Sequence, residues 1–157
     1  RDDERLDAAA PGAPPGHMTD FVVDASVCLK WIVDEPLGDV ARGILRLALA
    51  VPDFFDIECA NVVWGWVRRG NLSRAEALLR LQWIEQTPIA RHPIGDLTTP
   101  ATHLALDLDH PVYDCVYLAL AIRMNIPVIT ADRRFIHALA RHGGLAARGR
   151  WLGDMRE

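Results

Sequence analysis

Apolar and polar positions fall into blocks whose lengths set the elements. Phe21-Val22-Val23 is a short apolar run ending at Asp24, and it reads as a buried strand that turns directly into a helix. That helix covers 26–33 and is stopped by Asp34-Glu35-Pro36-Leu37-Gly38. A second helix is predicted over 38–50, with Val40, Ile44, Leu45 and Leu47 on one broad face. Val51-Pro52-Asp53 reads as a short strand or strand end. A long helix over 54–69 follows, closed by Arg68, Arg69 and Gly70, with cations in the last turn and glycine at the cap. Ser73-Arg74-Ala75-Glu76 is a capping box that opens a helix running to about residue 86. A weak strand is predicted over 89–94. Thr99-Pro100 opens a helix to about residue 108, with proline at its first position. His110-Pro111 opens the next, over 112–124. Residues 127–131 form a clear buried strand ending at Asp132. A helix over 134–142 is stopped by Gly143-Gly144, and 148–152 is a last short strand.

Strands alternating with helices imply a parallel sheet covered on both faces. Ligands of such sheets sit beyond the carboxyl ends of the strands, near the switch in strand order. The two clearest strands both end in an acid, so Asp24 and Asp132 share the functional edge if those strands are neighbours.

Residues 1–17 differ from the rest. They run from a charged start through an Ala/Pro/Gly stretch to Gly16-His17-Met18 and have no apolar core of a secretory signal. They read as a tag, linker or non-native extension, and 18–157 as a single domain. No run of 18 residues is free of charge and proline, so no membrane-spanning helix is predicted. The net charge of −4 excludes a strongly basic nucleic-acid coat, so any nucleic-acid binding must use a local basic patch or metal ions. Cys28, Cys59 and Cys115 are odd in number, widely spaced and set in apolar runs. They read as buried free thiols in a reducing cytoplasm. The five tryptophans read as core or interface. Trp64 and Trp66 cannot share a helix face, so one of them is expected to meet a partner chain.

The informative feature is acid in apolar surroundings. Asp114 is the sole charge of the run from Val112 to Ile122. An unpaired carboxylate buried there would cost several kcal/mol or take up a proton. It is therefore paired, metal-bound, or a first-turn acid at an open helix end. Glu58 sits in an equally apolar helix and shares a face with Asn61; its other reading is an exposed edge position or an ion pair with an arginine. Asp24 and Asp132 each follow a strand and can be helix caps instead of ligands, although Ser26 could cap in place of Asp24. The scattered histidines, His110 among them, read as surface or cap residues. Four convergent acids would repel one another severely without a cation, and oxygen ligands select Mg²⁺ or Mn²⁺. Such a cage serves phosphoryl-oxygen chemistry. No Gly-x-Ser-x-Gly elbow is present, and Asp24-Ala25-Ser26-Val27-Cys28 departs from the Asp-x-Asp-x-Thr of haloacid-dehalogenase phosphatases.

Four segments in series carry a resemblance. They are Phe21-Val22-Val23-Asp24-Ala25-Ser26-Val27, Ile57-Glu58-Cys59-Ala60-Asn61-Val62-Val63, the run from Val112 to Ala121 around Asp114, and Ile129-Thr130-Ala131-Asp132-Arg133-Arg134-Phe135. In these the chain resembles the PIN-domain ribonucleases, and within them the VapC toxins of toxin–antitoxin pairs. The resemblance implies a three-layer α/β/α sandwich around a five-stranded parallel sheet. It implies endonucleolytic cleavage of RNA that depends on Mg²⁺ or Mn²⁺. Asp24, Glu58, Asp114 and Asp132 would form the acidic pocket, with Asp24 and Asp114 the surest direct ligands. Glu58 and Asp132 would hold a second ion or orient the attacking water. Ser26 and Thr130 would be polar groups beside it, and Arg133 and Arg134 candidate RNA contacts. A homodimer and a cognate antitoxin that occludes the pocket are the implied partners. The cysteines at 59 and 115 stand where small residues such as alanine are familiar. The competing reading is a non-catalytic PIN-like module that binds RNA or protein.

Overall fold

The computed structural model describes residues 18–156. The tag-like segment read over 1–17 lies outside the described residues. Five strands form one sheet: β1 (Phe21–Val23), β2 (Leu49–Pro52), β3 (Ala90–His92), β4 (Val128–Thr130) and β5 (Gly149–Trp151), in the order β3-β2-β1-β4-β5. Every pair is parallel, with Phe21 opposite Leu49, Val22 opposite Val128, Ala50 opposite Ala90, and Val128 opposite Gly149. Successive side chains on a strand point to opposite faces. Val22 and Val23, Ala50 and Val51, and Val128 and Ile129 are all wholly buried. Both faces of the sheet are therefore covered, which is the expected three-layer arrangement.

Seven α-helices do the covering: α1 (Ala25–Ile32), α2 (Gly38–Gly43), α3 (Phe55–Arg68), α4 (Arg74–Gln86), α5 (Thr98–Leu108), α6 (Val112–Met124) and α7 (Arg133–Arg141). α6 packs on β1, β2 and β4, and α5 packs on α6. This central place explains why α6 is apolar almost all round: its residues from Cys115 to Ala121 are all buried. Each fully buried Leu contributes roughly 1.5–3 kcal/mol. Asp56 in the first turn of α3 receives two hydrogen bonds from Arg91 of β3, at 2.6 and 2.9 Å, and this forked pair ties helix to strand.

Local signals place most boundaries. The Ser73 hydroxyl accepts from the Glu76 amide at 3.2 Å, and Glu76 accepts from the Ser73 amide at 2.8 Å, so the capping box is formed. Gly70 takes a φ of 75° just past α3, a conformation that favours glycine. The helix predicted over 38–50 is shorter than expected. It ends at Gly43 and passes through a single 3₁₀ turn, Ile44–Arg46, into β2. Leu49, Ala50 and Val51 are buried on alternating sides, and a continuous apolar run of this length fits strand and helix equally well in sequence. α5 begins at Thr98, so Pro100 occupies its third position instead of its first. The three cysteines are buried and free, as expected. Trp64 is exposed and Trp66 half-buried, consistent with different helix faces.

Candidate metal centre

The sheet order reverses between β1 and β4, because β2 and β3 lie on one side of β1 and β4 and β5 on the other. The crevice at this switch point is the standard ligand position of an open parallel sheet. Asp24 follows β1 and Asp132 follows β4, so the chain delivers both to it.

Asp24 is 3% exposed. Its amide continues the ladder by donating to the Ile129 carbonyl at 2.9 Å. It occupies the N-cap position of α1, yet its carboxylate caps nothing. Instead Oδ2 accepts from the Ser26 hydroxyl at 2.6 Å and the Thr130 hydroxyl at 2.8 Å. Each hydroxyl is aimed by a backbone amide, Ala131 donating to Ser26 Oγ and Asp132 donating to Thr130 Oγ1, both at 3.0 Å. The acceptor side of each hydroxyl is thus engaged, and its proton turns to Asp24. Ser26 serves as a partner of Asp24, not as the helix cap that sequence reasoning allowed.

Glu58 enters from the first turns of α3 and is half-buried. Its Oε2 accepts from the Tyr117 hydroxyl of α6 at 2.6 Å. Neither alternative for Glu58, a free edge position or an arginine pair, describes this contact. Asp114 lies in the first turn of α6, and its Oδ2 accepts from His110 Nε2 at 2.7 Å. Asp132 is the N-cap of α7, and its Oδ1 accepts from the Arg134 amide at 2.7 Å. The cap reading of Asp132 holds, with one oxygen serving the helix.

Electrostatics couples the four. Burial first, then the charge of Asp114, pushes Asp24 up to about 6. Burial pushes Glu58 up to about 7, against the Tyr117 hydrogen bond and with Asp24 and Asp114 adding to the rise. Burial raises Asp114 too; the His110 hydrogen bond pulls it back and Asp132 pushes it up. Four elements have delivered carboxyl groups, and Asp24, Glu58 and Asp114 are each raised by the charge of another acid of the set.

Ligand atoms of His110, Asp114 and Asp132 all lie within 4.8 Å of one another, the one such group among the described residues. The two carboxylates are oxygen donors that suit a hard divalent cation, while the imidazole Nε2 is engaged by Asp114. Asp24 and Glu58 stand outside this tight trio. His110 corrects the expectation that it is a surface or cap residue. Its side chain is 6% exposed and its ring stacks on Phe135, with centroids 4.7 Å apart and planes 18° apart. Its position ahead of a helix start hid the pairing, since four-residue spacing signals contact only inside a helix. Tyr117 was also missed. The available signal was a phenol in a fully apolar helix, whose hydroxyl must find a partner. Removing that hydroxyl in Tyr117→Phe should raise the Glu58 titration midpoint by roughly one pH unit, read by carbon NMR of the carboxyl. An unmoved midpoint would show that the hydroxyl does not hold the charge.

Arg133 and Arg134 are exposed at the start of α7. The Arg133 guanidinium lies 3.6 Å over the Trp151 ring, and Arg134 lowers the Asp114 pKa by its charge. Beside Glu58 a cleft of about 430 Å³ opens between Phe54, Ile57, Asn61, Val62 and Tyr113.

Sequence comparison matches residues 21–140 to the PIN domain family. The chain belongs to that family. Among relatives of this PIN domain, Ribonuclease VapC12 of Mycobacterium tuberculosis is 32% identical over 115 residues, covering 73% of this chain and 88% of the relative. Ribonuclease VapC3 of Pyrobaculum aerophilum is 32% identical over 118 residues, covering 73% and 90%. The crystal structure of PAE2754 from Pyrobaculum aerophilum superposes with a TM-score of 0.62 at 20% identity, covering 88% of this chain and 87% of that one. Mycobacterium tuberculosis VapC20, titled a sarcin-ricin loop cleaving toxin, gives a TM-score of 0.59 at 15% identity, covering 76% and 95%. These two structures share the fold.

Proposed function

We propose that this PIN domain, taken as residues 18–157, is an endoribonuclease of the VapC toxin kind. Asp24, Glu58, Asp114 and Asp132 form its metal-dependent pocket. The observation that carries the reading is the convergence of four acids, from four separate elements, on one switch point, where the charges of neighbouring acids push Asp24, Glu58 and Asp114 up. The ribonuclease names of relatives at about 30% identity support the substrate class. Asp24 and Asp114, with Asp132 beside them, would hold Mg²⁺ or Mn²⁺. Such an ion, when bound, neutralises charge on a phosphate oxygen and makes a nearby water more acidic.

The chain's own groups divide the remaining work. Ser26 and Thr130 fix the Asp24 carboxylate by hydrogen bonds. Glu58, whose burial favours its protonated form, is placed to take a proton from a water in the pocket. The water oxygen adds to phosphorus, the bond to the 3′-oxygen breaks, and that oxygen leaves in line. Arg134 and Arg133 stand at the rim where RNA phosphates would approach. The Arg133 guanidinium, flat on Trp151, keeps its edge for an anion.

A second copy and an antitoxin protein are the partners this reading expects. Ile57 and Tyr113, 70% and 64% exposed, line one cleft together and offer apolar surface to a partner. No helix among the described residues is long and apolar enough to cross a membrane, and the proposed site of action is the cytoplasm. The test is incubation of total RNA with the purified chain. Cleavage should appear with Mg²⁺ or Mn²⁺ and vanish with EDTA. Failure to cut any RNA with either ion would instead favour a binding module.

A further inference from the structure

His110 is the group in the pocket that family resemblance did not supply. Its backbone is anchored: the His110 amide donates to the Ala105 carbonyl at 3.1 Å, closing the end of α5, and Pro111 follows it. Its ring is nearly buried and touches two helices. On one side Nε2 donates to Asp114 Oδ2 at the start of α6. On the other, the ring lies on Phe135, a wholly buried side chain three residues after Asp132 in α7.

Asp114 and Asp132 repel each other and share no hydrogen bond that could set their spacing. His110 is bonded to the first and packed on the helix that the second begins. A donor that takes one oxygen of a ligating carboxylate leaves the other directed at the site, and a carboxylate held this way has less freedom to lose on binding an ion. We infer that His110 is a positioning residue for the metal centre. It donates to Asp114 Oδ2 while stacked on Phe135, and so holds the Asp114 and Asp132 carboxylates at the separation a divalent cation requires. The inference rests on the reading of the pocket as a metal site and adds the residue that sets its geometry. It needs only the donated hydrogen bond and the stacked ring.

The test reads Mn²⁺ binding directly, without RNA, from the loss of the free Mn²⁺ electron paramagnetic resonance signal on titration with the full chain. His110→Ala should weaken Mn²⁺ affinity by about 10- to 100-fold. His110→Gln, whose amide nitrogen reaches the place of Nε2 but which lacks the stacked ring, should restore part of the loss. His110→Asn, with a side chain one bond shorter, should not, and it takes the place of the alanine variant if that one fails to fold. Asp114→Asn is the reference for a lost ligand, and thermal unfolding in EDTA establishes that each variant is folded. Wild-type affinity in His110→Ala or His110→Asn, with binding lost in Asp114→Asn, would overturn the positioning role and leave the metal site standing. Glutamine binding as poorly as alanine would also overturn it, because the donated hydrogen bond would then not be what His110 supplies. If Asp114→Asn binds Mn²⁺ like the wild type, the metal-site reading fails and this inference falls with it.

Discussion

Asp24→Asn should reduce metal-dependent RNA cleavage at least a thousandfold while leaving the chain folded. Asparagine matches aspartate in shape, and its amide oxygen can accept from Ser26 and Thr130 as Oδ2 does now. What disappears is one negative charge at the sheet's switch point, at a residue 3% exposed, where charge acts strongly. An ion bound by carboxylates contributes several kcal/mol of transition-state stabilisation, and a thousandfold loss corresponds to about 4 kcal/mol. Asp132→Asn should cost less, roughly ten- to a hundredfold, because asparagine still caps α7 and Asp132 already commits Oδ1 to the Arg134 amide. The measurement is the initial rate on one labelled RNA, compared for wild type, each variant, and wild type in EDTA. Equal rates for wild type and Asp24→Asn would mean that the activity comes from elsewhere or that the pocket is misassigned.

Asp24 was legible in sequence because three levels agreed on it: an apolar strand before it, a helix after it, and serine two residues on. The same consistency made β1, β4 and α6 readable to within a residue or two, since an apolar run with sharp polar ends has few alternatives. The 38–50 segment was not readable in this way. Val40, Ile44, Leu45 and Leu47 satisfy a helical stripe, the apolar run continues unbroken from Leu47 to Val51, and pairing with β1 and β3 decided where helix gives way to strand. The pocket was legible as four acids but not as a set of contacts. Nothing local in the chain says that Tyr117 reaches Glu58 across 59 positions, or that His110 lies on Phe135. Those pairings come from how α3, α6 and α7 converge on the sheet edge. Titratable acids in apolar segments were the visible trace, and their partners became identifiable only once the fold had been built around them.

The same crowding predicts that the metal-free protein loses stability as pH rises from 5 to 8. Asp24 binds its proton with a pKa of about 6 in the folded chain against 3.8 as the ordinary value, and Glu58 with about 7 against 4.5. Over the interval between those values the folded state holds more protons than the unfolded one. Stability must then fall with increasing pH, and the contribution is fully present only below the ordinary values. For wholly buried Asp24 the loss is about 2–3 kcal/mol by pH 8. Glu58 is partly solvated and shares its repulsion with Asp24, so it adds less than an independent group would. Histidines also titrate in this range, and the comparison that isolates the pocket is therefore wild type against Asp24→Asn. In urea unfolding with EDTA, the variant should be more stable than wild type by about 2 kcal/mol at pH 8, with the gap narrowing below about pH 6 and closing only below about pH 4. Added Mn²⁺ should recover stability in the wild type at pH 8 and much less in the variant, since an ion that binds only the folded state shifts the balance by mass action. A variant that is no more stable than wild type at pH 8 would mean that the Asp24 charge is already compensated within the chain, and the structural case for a cation in this crevice would be lost.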